Sequence, residues 1–216
     1  MSRGLFVVLT LLVLSTALFA GWWSNRRAAY FPIDLQSLYN DCEVIPGEFD
    51  RQPVQHAVLA EWFAGELANL EEPSLFDRPP DSPGSVRFAW LRSYHDPMAV
   101  RVVTTADGAR WIFARQNPAS HGPGIFPGVG QPRSISRPLG PEEVARLDAV
   151  LAQAGVLSSP HSGCERGLHG AYWIVESSDP RYGYRYHNSQ SPKSGPERQV
   201  GEFLLSLTGW TVEPVY

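Results

Sequence analysis

The chain has 216 residues, a formal net charge of −4 and an isoelectric point near 5.9, which excludes the basic footprint of a nucleic-acid-binding protein. Its two cysteines are too few to build a structural zinc site alone, because such sites usually take four ligands. The length suits one domain with its own core, preceded by a short apolar segment.

That segment is uncharged from Gly4 to Trp23, which is about the length that a helix needs to cross a bilayer. Two tryptophans close it and two arginines follow, as is typical of the interfacial layer. We expect residues 1–27 to anchor the chain in the inner (cytoplasmic) membrane, with residues 4–23 as a single transmembrane helix. A cleaved signal peptide is the alternative, with a possible cleavage site at Ser15-Thr-Ala17.

The orientation of this anchor is only weakly determined, because basic residues are nearly balanced on its two sides. We expect the domain to be extracytoplasmic, because the segment opens the chain and the cysteine count is even. In such an oxidising compartment Cys42 and Cys164 are a possible disulfide pair.

Residues 28–52 lack a clear period and are expected to form a connector to a single domain at 53–216. From Pro53 to Leu70 apolar residues recur at helical spacing, which predicts an amphipathic helix. Residues 71–85 contain four prolines and a glycine and are expected to form a loop.

Three antiparallel strands are predicted next, at 86–94, 98–105 and 110–115, connected as a meander. Alternation places one apolar set on faces that can share a core: Val86, Phe88, Trp90, Val100, Val102, Trp111 and Phe113.

The opposite parity of these strands carries Arg87, Arg101 and Arg110. A row of arginines across a sheet could bind an anion. We favour a solvated outer face, because antiparallel sheets often expose one side to water.

The segment 117–138 is rich in glycine and proline and lacks the features of a phosphate-binding loop, so we expect an irregular surface loop. A helix is predicted to begin at Pro141, with two glutamates in its first turn, and to end at Gly155. The last helix is predicted from about Pro196 to Thr208.

The densest run of strand-forming aromatic residues lies between these helices, in two segments at 171–177 and 182–188. Pairing Ser177 with Tyr182 leaves four turn residues and places Trp173, Val175, Tyr184 and Tyr186 on an aromatic core face. The other face then forms a candidate binding face that includes Tyr172, Glu176, Arg185 and His187.

A histidine near an acid and an arginine can perform general acid–base chemistry or hold an anionic ligand. No nucleophile lies at a recognisable spacing, and the sequence contains neither Gly-x-Ser-x-Gly nor His-Glu-x-x-His. We therefore expect a non-enzymatic binding function. A hydrolase-type enzyme that uses His187 and Glu176 is the alternative.

A metal site is a further alternative, at His161-x-x-Cys164 together with His169 and His187. Their spacing matches no common zinc signature. We expect neither a metal nor a cofactor.

Short motifs follow one another in a distinctive order from Glu72 to Gly209. They are Glu72-Pro-Ser-Leu75, Trp90-Leu-Arg92 with His95, Met98-Ala-Val-Arg101, Gly167-Leu-His-Gly170, Trp173 with Glu176, Arg185-Tyr-His187 and Ser191-Pro192. The series resembles a family of uncharacterised bacterial proteins, in which an aspartate stands at the position of His169. The resemblance implies a module with an N-terminal apolar anchor and no particular reaction.

Together these patterns predict an α+β domain behind a single transmembrane helix. The domain is expected to be mostly antiparallel sheet, a meander plus a C-terminal hairpin, packed with about three helices. The predicted function is that of a membrane-anchored envelope module that binds a protein or small-ligand partner through the polar face of the 171–188 hairpin.

Overall fold

The computed structural model describes residues 30–31, 53–79, 81–118, 131–164, 170–212 and 215. The predicted anchor, most of the connector, Cys42, His169 and the side chain of Cys164 lie outside the described part. Within the described ranges, no helix has the length and apolar character needed to cross a bilayer.

The described residues form three helices and seven strands. The helices are α1 (Pro53–Asn69), α2 (Pro141–Ala154) and α3 (Pro196–Ser206). The strands are β1 (Ser85–Arg92), β2 (Met98–Thr104), β3 (Arg110–Gln116), β4 (Arg133–Pro138), β5 (Ser162–Cys164), β6 (Ala171–Asp179) and β7 (Gly183–Gln190). The predicted α+β class, with an antiparallel sheet and three helices, is confirmed.

All seven strands belong to one sheet, in the order β4-β3-β2-β1-β6-β7-β5. Strands β1 to β4 form a meander, and β6 and β7 form a hairpin that joins the meander through β1. Only the short strand β5 is parallel to its neighbour, β7. Strand β1 is buried along its whole length and β6 along most of it, so these two strands form the centre of the sheet.

Helices cover both faces of this centre. On one face, the α2/α3 side, residues of both helices pack against Phe88, Trp90 and Trp173. On the other face, the α1 side, Phe63 and Leu67 pack against strand residues of the opposite parity. The expectation of a solvated outer face is therefore wrong at the centre of the sheet, where β1 and β6 lie between two helical layers.

The side-chain parity of β3 is the reverse of the prediction. Val102 pairs with Ile112, so Ile112 and Ala114 enter the core, whereas Trp111 and Phe113 lie on the α1 side. Arg110 instead lies on the α2/α3 side, where it forms an ion pair of 2.6 Å with Asp148 of α2. The alternating sequence of β3 is compatible with either of its faces entering the core, and the pairing with β2 selects the face that does.

Strand β4 lies within the segment that the sequence predicts to be a surface loop. It pairs with β3 along six residues, although Ile135 is its only large apolar residue. Arg137 secures it, because its guanidinium donates to both oxygens of Glu143 at 2.7 and 2.8 Å. Tertiary contacts and ladder hydrogen bonds, rather than an apolar pattern, make this segment a strand.

The predicted ends of α2 are confirmed. The Glu143 side chain accepts the backbone N–H of Gly140 at 2.9 Å, which satisfies a free donor at the start of the helix. Gly155 ends the helix with φ of 69°, and its N–H donates to the carbonyl of Leu151. Glycine adopts this left-handed conformation without a steric penalty.

Candidate functional site

The register of the 171–188 hairpin differs from the prediction. Glu176 pairs with Tyr186 and Val175 with His187, because Asp179 pairs with Gly183 across a turn of only three residues. The Asp179 carboxylate fixes this turn by accepting the N–H of the first two residues after Pro180, at 2.8 and 3.2 Å. The shorter turn reverses the parity of β7 relative to β6.

This reversal divides the predicted binding face between the two sides of the sheet. Tyr172 and Glu176 lie on the α1 side, whereas Arg185 and His187 lie on the α2/α3 side. The prediction that the four residues share one surface is wrong. Tyr172 belongs to the core, since its ring packs 4.9 Å from that of Phe63, centroid to centroid.

Glu176 is fully buried and forms an ion pair with Arg87, which lies directly opposite on β1. Both side chains have 0% exposure, and Nε and Nη2 of Arg87 lie 3.0 and 2.6 Å from one oxygen of Glu176. The other oxygen accepts the Tyr184 hydroxyl proton at 2.9 Å. The carboxylate is therefore committed to internal contacts.

A second carboxylate extends this pair into a network. Glu72 accepts from Nε of Arg101 at 2.8 Å and lies 3.5 Å from Nη1 of Arg87. Arg87 and Arg101 are cross-strand neighbours, and Glu72 offsets the repulsion between them. We call Glu72, Arg87, Arg101 and Glu176 the buried charge network.

Two arginines and two glutamates balance the charge of this network. Burial alone would lower the pKa of Arg87, but the carboxylates of Glu176 and Glu72 outweigh it and raise that pKa. The guanidinium also donates to the backbone carbonyl of Pro73 at 2.6 Å. Arg87 and Arg101 are thus neutralised from within, and the network has a structural role.

Two residues of the connector lie against the same region. The Tyr30 hydroxyl donates to the backbone carbonyl of Glu72 at 2.8 Å, and burial raises the pKa of Tyr30. The Phe31 ring is 8% exposed and meets the rings of Phe63 and Tyr186 edge-on. Tyr30 and Phe31 thus fasten the connector to the α1 side of the domain.

An aromatic cluster lies on the surface above the buried charge network. Phe76 is 39% exposed, and its ring meets that of Tyr184 edge-on at 5.3 Å. The His161 ring lies 5.9 Å from that of Tyr184, and its Nδ1 accepts the backbone N–H of Tyr186 at 3.0 Å. We call Phe76, His161 and Tyr184 the hairpin patch.

On the opposite side of the sheet, His187 contacts a serine. Its Nδ1 lies 2.7 Å from the Ser162 hydroxyl and its Nε2 lies 2.9 Å from the carbonyl of Val156. Burial lowers the pKa of His187, which favours the neutral ring. Because a carbonyl can only accept, Nε2 carries the proton and Nδ1 accepts from Ser162.

Sequence reasoning missed three of these groups. The sequence favoured a wet face for Arg87, Glu72 entered only as part of the motif Glu72-Pro-Ser-Leu75, and Ser162 belonged to no motif. The sequence did contain a signal for Arg87 and Glu72. Glu72 lies at the start of a proline-rich loop, and Arg87 is a charged residue in an otherwise apolar strand. Ser162 gave no such signal, because β5 has only three residues.

Of the four metal donors considered in the sequence, two lie outside the described residues, His169 and the side chain of Cys164, and two lie within them, His161 and His187. No group of three or more histidine, cysteine, aspartate or glutamate side chains there is arranged to hold a metal ion. His161 and His187 are instead bonded to backbone and hydroxyl groups.

No family model matches the chain, and no curated protein matches it significantly.

Proposed function

We propose that this chain is a membrane-anchored envelope module that binds a partner through the hairpin patch. Residues 4–23 serve as a single-pass anchor in the inner membrane, and the domain lies on the extracytoplasmic side. The length and flanks of the apolar segment support the anchor. The surface of the 171–188 hairpin remains the binding element, but Phe76, His161 and Tyr184 replace the four residues of the predicted polar face.

The observation that carries this proposal is the fixed position of two aromatic side chains, of which Phe76 is exposed and Tyr184 is half-buried. The Tyr184 hydroxyl is hydrogen-bonded to Glu176, which Arg87 holds in the core. Phe76 rests against the Tyr184 ring and leaves 39% of its surface exposed. Aromatic side chains held rigidly lose little entropy on binding, and they dominate many interfaces.

The binding role is tested by photo-crosslinking in membranes that contain the full chain. A benzophenone amino acid replaces Phe76, or Tyr94 as a matched exposed aromatic residue outside the patch. We expect position 76 to form an adduct, with a protein or with a lipid, that is lost when Tyr184→Ala is added, and we expect no such adduct from position 94. Equal crosslinking from both positions would reject the patch as the binding surface.

The anchor is tested separately, by alkaline extraction and by protease treatment of spheroplasts. We expect the full chain to stay with the membrane pellet and the domain to be digested from outside. Release by alkali, or protection of the domain in intact spheroplasts, would contradict the assignment.

A second candidate function, hydrolysis, is favoured by the contact between Ser162 and His187. Glu176 cannot assist His187, because the two lie on opposite faces of the sheet. The backbone carbonyl of Val156 orients the His187 ring instead. Nε of Arg185 is a buried donor on the same face, and it has no hydrogen-bond partner in the described part of the chain. Nucleophile, base and orienting group are the elements of covalent acyl transfer.

In that reaction, Ser162 Oγ attacks an ester carbonyl while its proton passes to Nδ1 of His187 and then to the leaving alkoxide. Water subsequently hydrolyses the acyl-serine and restores the hydroxyl. We expect a fluorophosphonate to label the wild type and not Ser162→Ala, with Ser158→Ala, at an exposed serine, as control. Identical labelling of wild type and Ser162→Ala would eliminate this candidate.

A further inference from the structure

We infer that the partner of the hairpin patch is the lipid surface itself, and that the α1 side of the domain lies against the bilayer. The inference rests on the proposed membrane anchor. Its physical basis is the site at which the connector joins the domain.

That attachment site lies on one side of the domain only. Phe31 is inserted between α1 and β7, where it contacts Phe63 and Tyr186. Tyr30 is hydrogen-bonded to Glu72 in the loop that follows α1. Both contacts are on the α1 side, whereas α2 and α3 lie behind the sheet.

The chain between the anchor and this attachment site is short. Six residues, Ser24 to Ala29, separate Trp23 from Tyr30. Fully extended they span at most about 25 Å, and as a flexible coil they average about 15 Å. The axes of helices on opposite faces of a sheet lie on the order of 20 Å apart, so a short tether on the α1 side keeps α2 and α3 away from the membrane.

The α1 side also presents aromatic side chains to solvent. Phe76 is 39% exposed there and Trp111 of β3 is 37% exposed, and both lie on the α1 face of the sheet or above it. Aromatic residues favour the water–lipid interface. Charge adds little to this preference, because the sheet arginines on this side are paired with acids, for example Arg115 with Glu71. Arg78 of the loop donates to the neutral Ser85 hydroxyl. We therefore expect the contact to be insensitive to salt.

The test uses two exposed helix alanines as matched labelling positions, Ala68 on α1 and Ala149 on α2. Each is changed to cysteine in a full chain that carries Cys42→Ser and Cys164→Ser, labelled with a fluorophore, and reconstituted into vesicles of phosphatidylcholine. A fraction of the lipids carries a nitroxide on the headgroup. We expect several-fold stronger quenching at position 68 than at position 149, unchanged at about 0.5 M NaCl, where charge interactions are screened.

A longer tether supplies the control. A flexible Gly/Ser insertion of about 20 residues after Arg27 raises the average reach of the linker from about 15 to about 30 Å. We expect the difference between the two labels to diminish in that variant, and Phe76→Ala to diminish it further.

The outcomes separate this inference from the proposed anchor. Equal quenching at both positions in a chain that remains membrane-bound would overturn the lipid contact and leave the anchor standing. Loss of the chain from the vesicles would refute the anchor. A label at position 68 that is shielded from aqueous quencher but not quenched by the nitroxide lipids would assign the surface to protein rather than lipid, which also overturns the inference.

Discussion

Arg87 and Glu176 lie opposite each other on the two central strands, and each compensates the charge of the other without help from water. Removing one partner of such a pair leaves an uncompensated charge in a medium of low polarity. Replacing both by apolar residues of similar volume removes the charge and the desolvation penalty together. The two residues therefore act as a unit.

We expect Arg87→Met and Glu176→Leu each to lower the free energy of unfolding by about 3–5 kcal/mol. The double variant should recover most of that loss, because neither charge remains to be buried. Urea denaturation of the two single variants, the double variant and the wild type measures all three differences.

The control is Glu202→Leu, in an exposed i,i+4 pair with Arg198, which should change stability by less than about 0.5 kcal/mol. If Glu176→Leu proved as harmless as Glu202→Leu, Glu176 would not be buried as described. The assignment of Glu176 to a functional surface would then be supported again.

Glu143 predicts a pH dependence. The hydrogen bonds from Arg137 and from the Gly140 N–H lower its pKa from an ordinary 4.5 to about 2. A depressed carboxyl pKa stabilises the folded state fully above the unfolded value and loses that effect as the pH falls through the folded value. The contribution is therefore complete above pH 4.5 and disappears toward pH 2.

We expect Glu143→Gln to be less stable than the wild type by about 1 kcal/mol at pH 7, since the pair is partly solvent-screened. The difference in free energy of unfolding between the two proteins should decrease between pH 4.5 and pH 2. Parallel urea titrations across this range measure it, and a gap that stays constant to pH 2 would show that the ion pair is not its source.

At the scale of the elements, α3 approaches the sheet closely at one glycine. A Cβ added to Gly201 would lie 2.7 Å from a ring carbon of Phe88 and 2.8 Å from one of Trp173. Both rings are fully buried, so neither can move aside easily. The absence of a side chain at this position sets the distance between helix and sheet.

Two glycine-to-alanine substitutions should consequently have opposite effects. Gly201→Ala should destabilise the domain by about 1–3 kcal/mol through overpacking. Gly65→Ala, at an exposed position of α1 with nothing within 4 Å of the added Cβ, should stabilise it by up to about 1 kcal/mol. The melting temperatures of both variants test this expectation. Equal shifts of the two melting temperatures would contradict the close approach of α3 to the sheet.

The elements that the sequence predicted best carry local signals. Helix α2 has proline and glutamate at its start, glycine at its end and an apolar stripe between, all within about twenty residues. Strands β1 and β2 are rich in apolar residues and are joined by a short connection. For these elements, local chemistry and tertiary packing agree.

The hairpin was predicted as an element but with the wrong register. Its register depends on whether Asp179 belongs to the turn or to the strand, and a strand residue with polar neighbours gives no periodic signal. The Asp179 side chain bonds the turn itself, which draws the strand ends together and shortens the turn. One such local hydrogen-bonded turn decided which residues share a surface, and so decided the candidate site.

At the scale of the whole molecule, the two helical layers explain why the predicted polar face does not exist. A sheet with one wet face would have left Arg87, Glu176 and Tyr172 exposed to ligands. The loop after α1 covers Arg87 and Glu176 instead, and the rings of α1 cover Tyr172. The binding surface that we propose on the α1 side is therefore the hairpin patch, at the rim of the covered region.

The edges of the sheet have a consequence for the proposed membrane-anchored module. Among the described strands, β4 and β5 are outermost, and an exposed strand edge can recruit the same strand of another copy. Strand β5 has three residues, and β4 ends in Pro138, which has no N–H to donate. Arg133 and Arg137 add charge along β4. Copies of the proposed module that met edge to edge would therefore have few free strand hydrogen-bonding groups through which to polymerise.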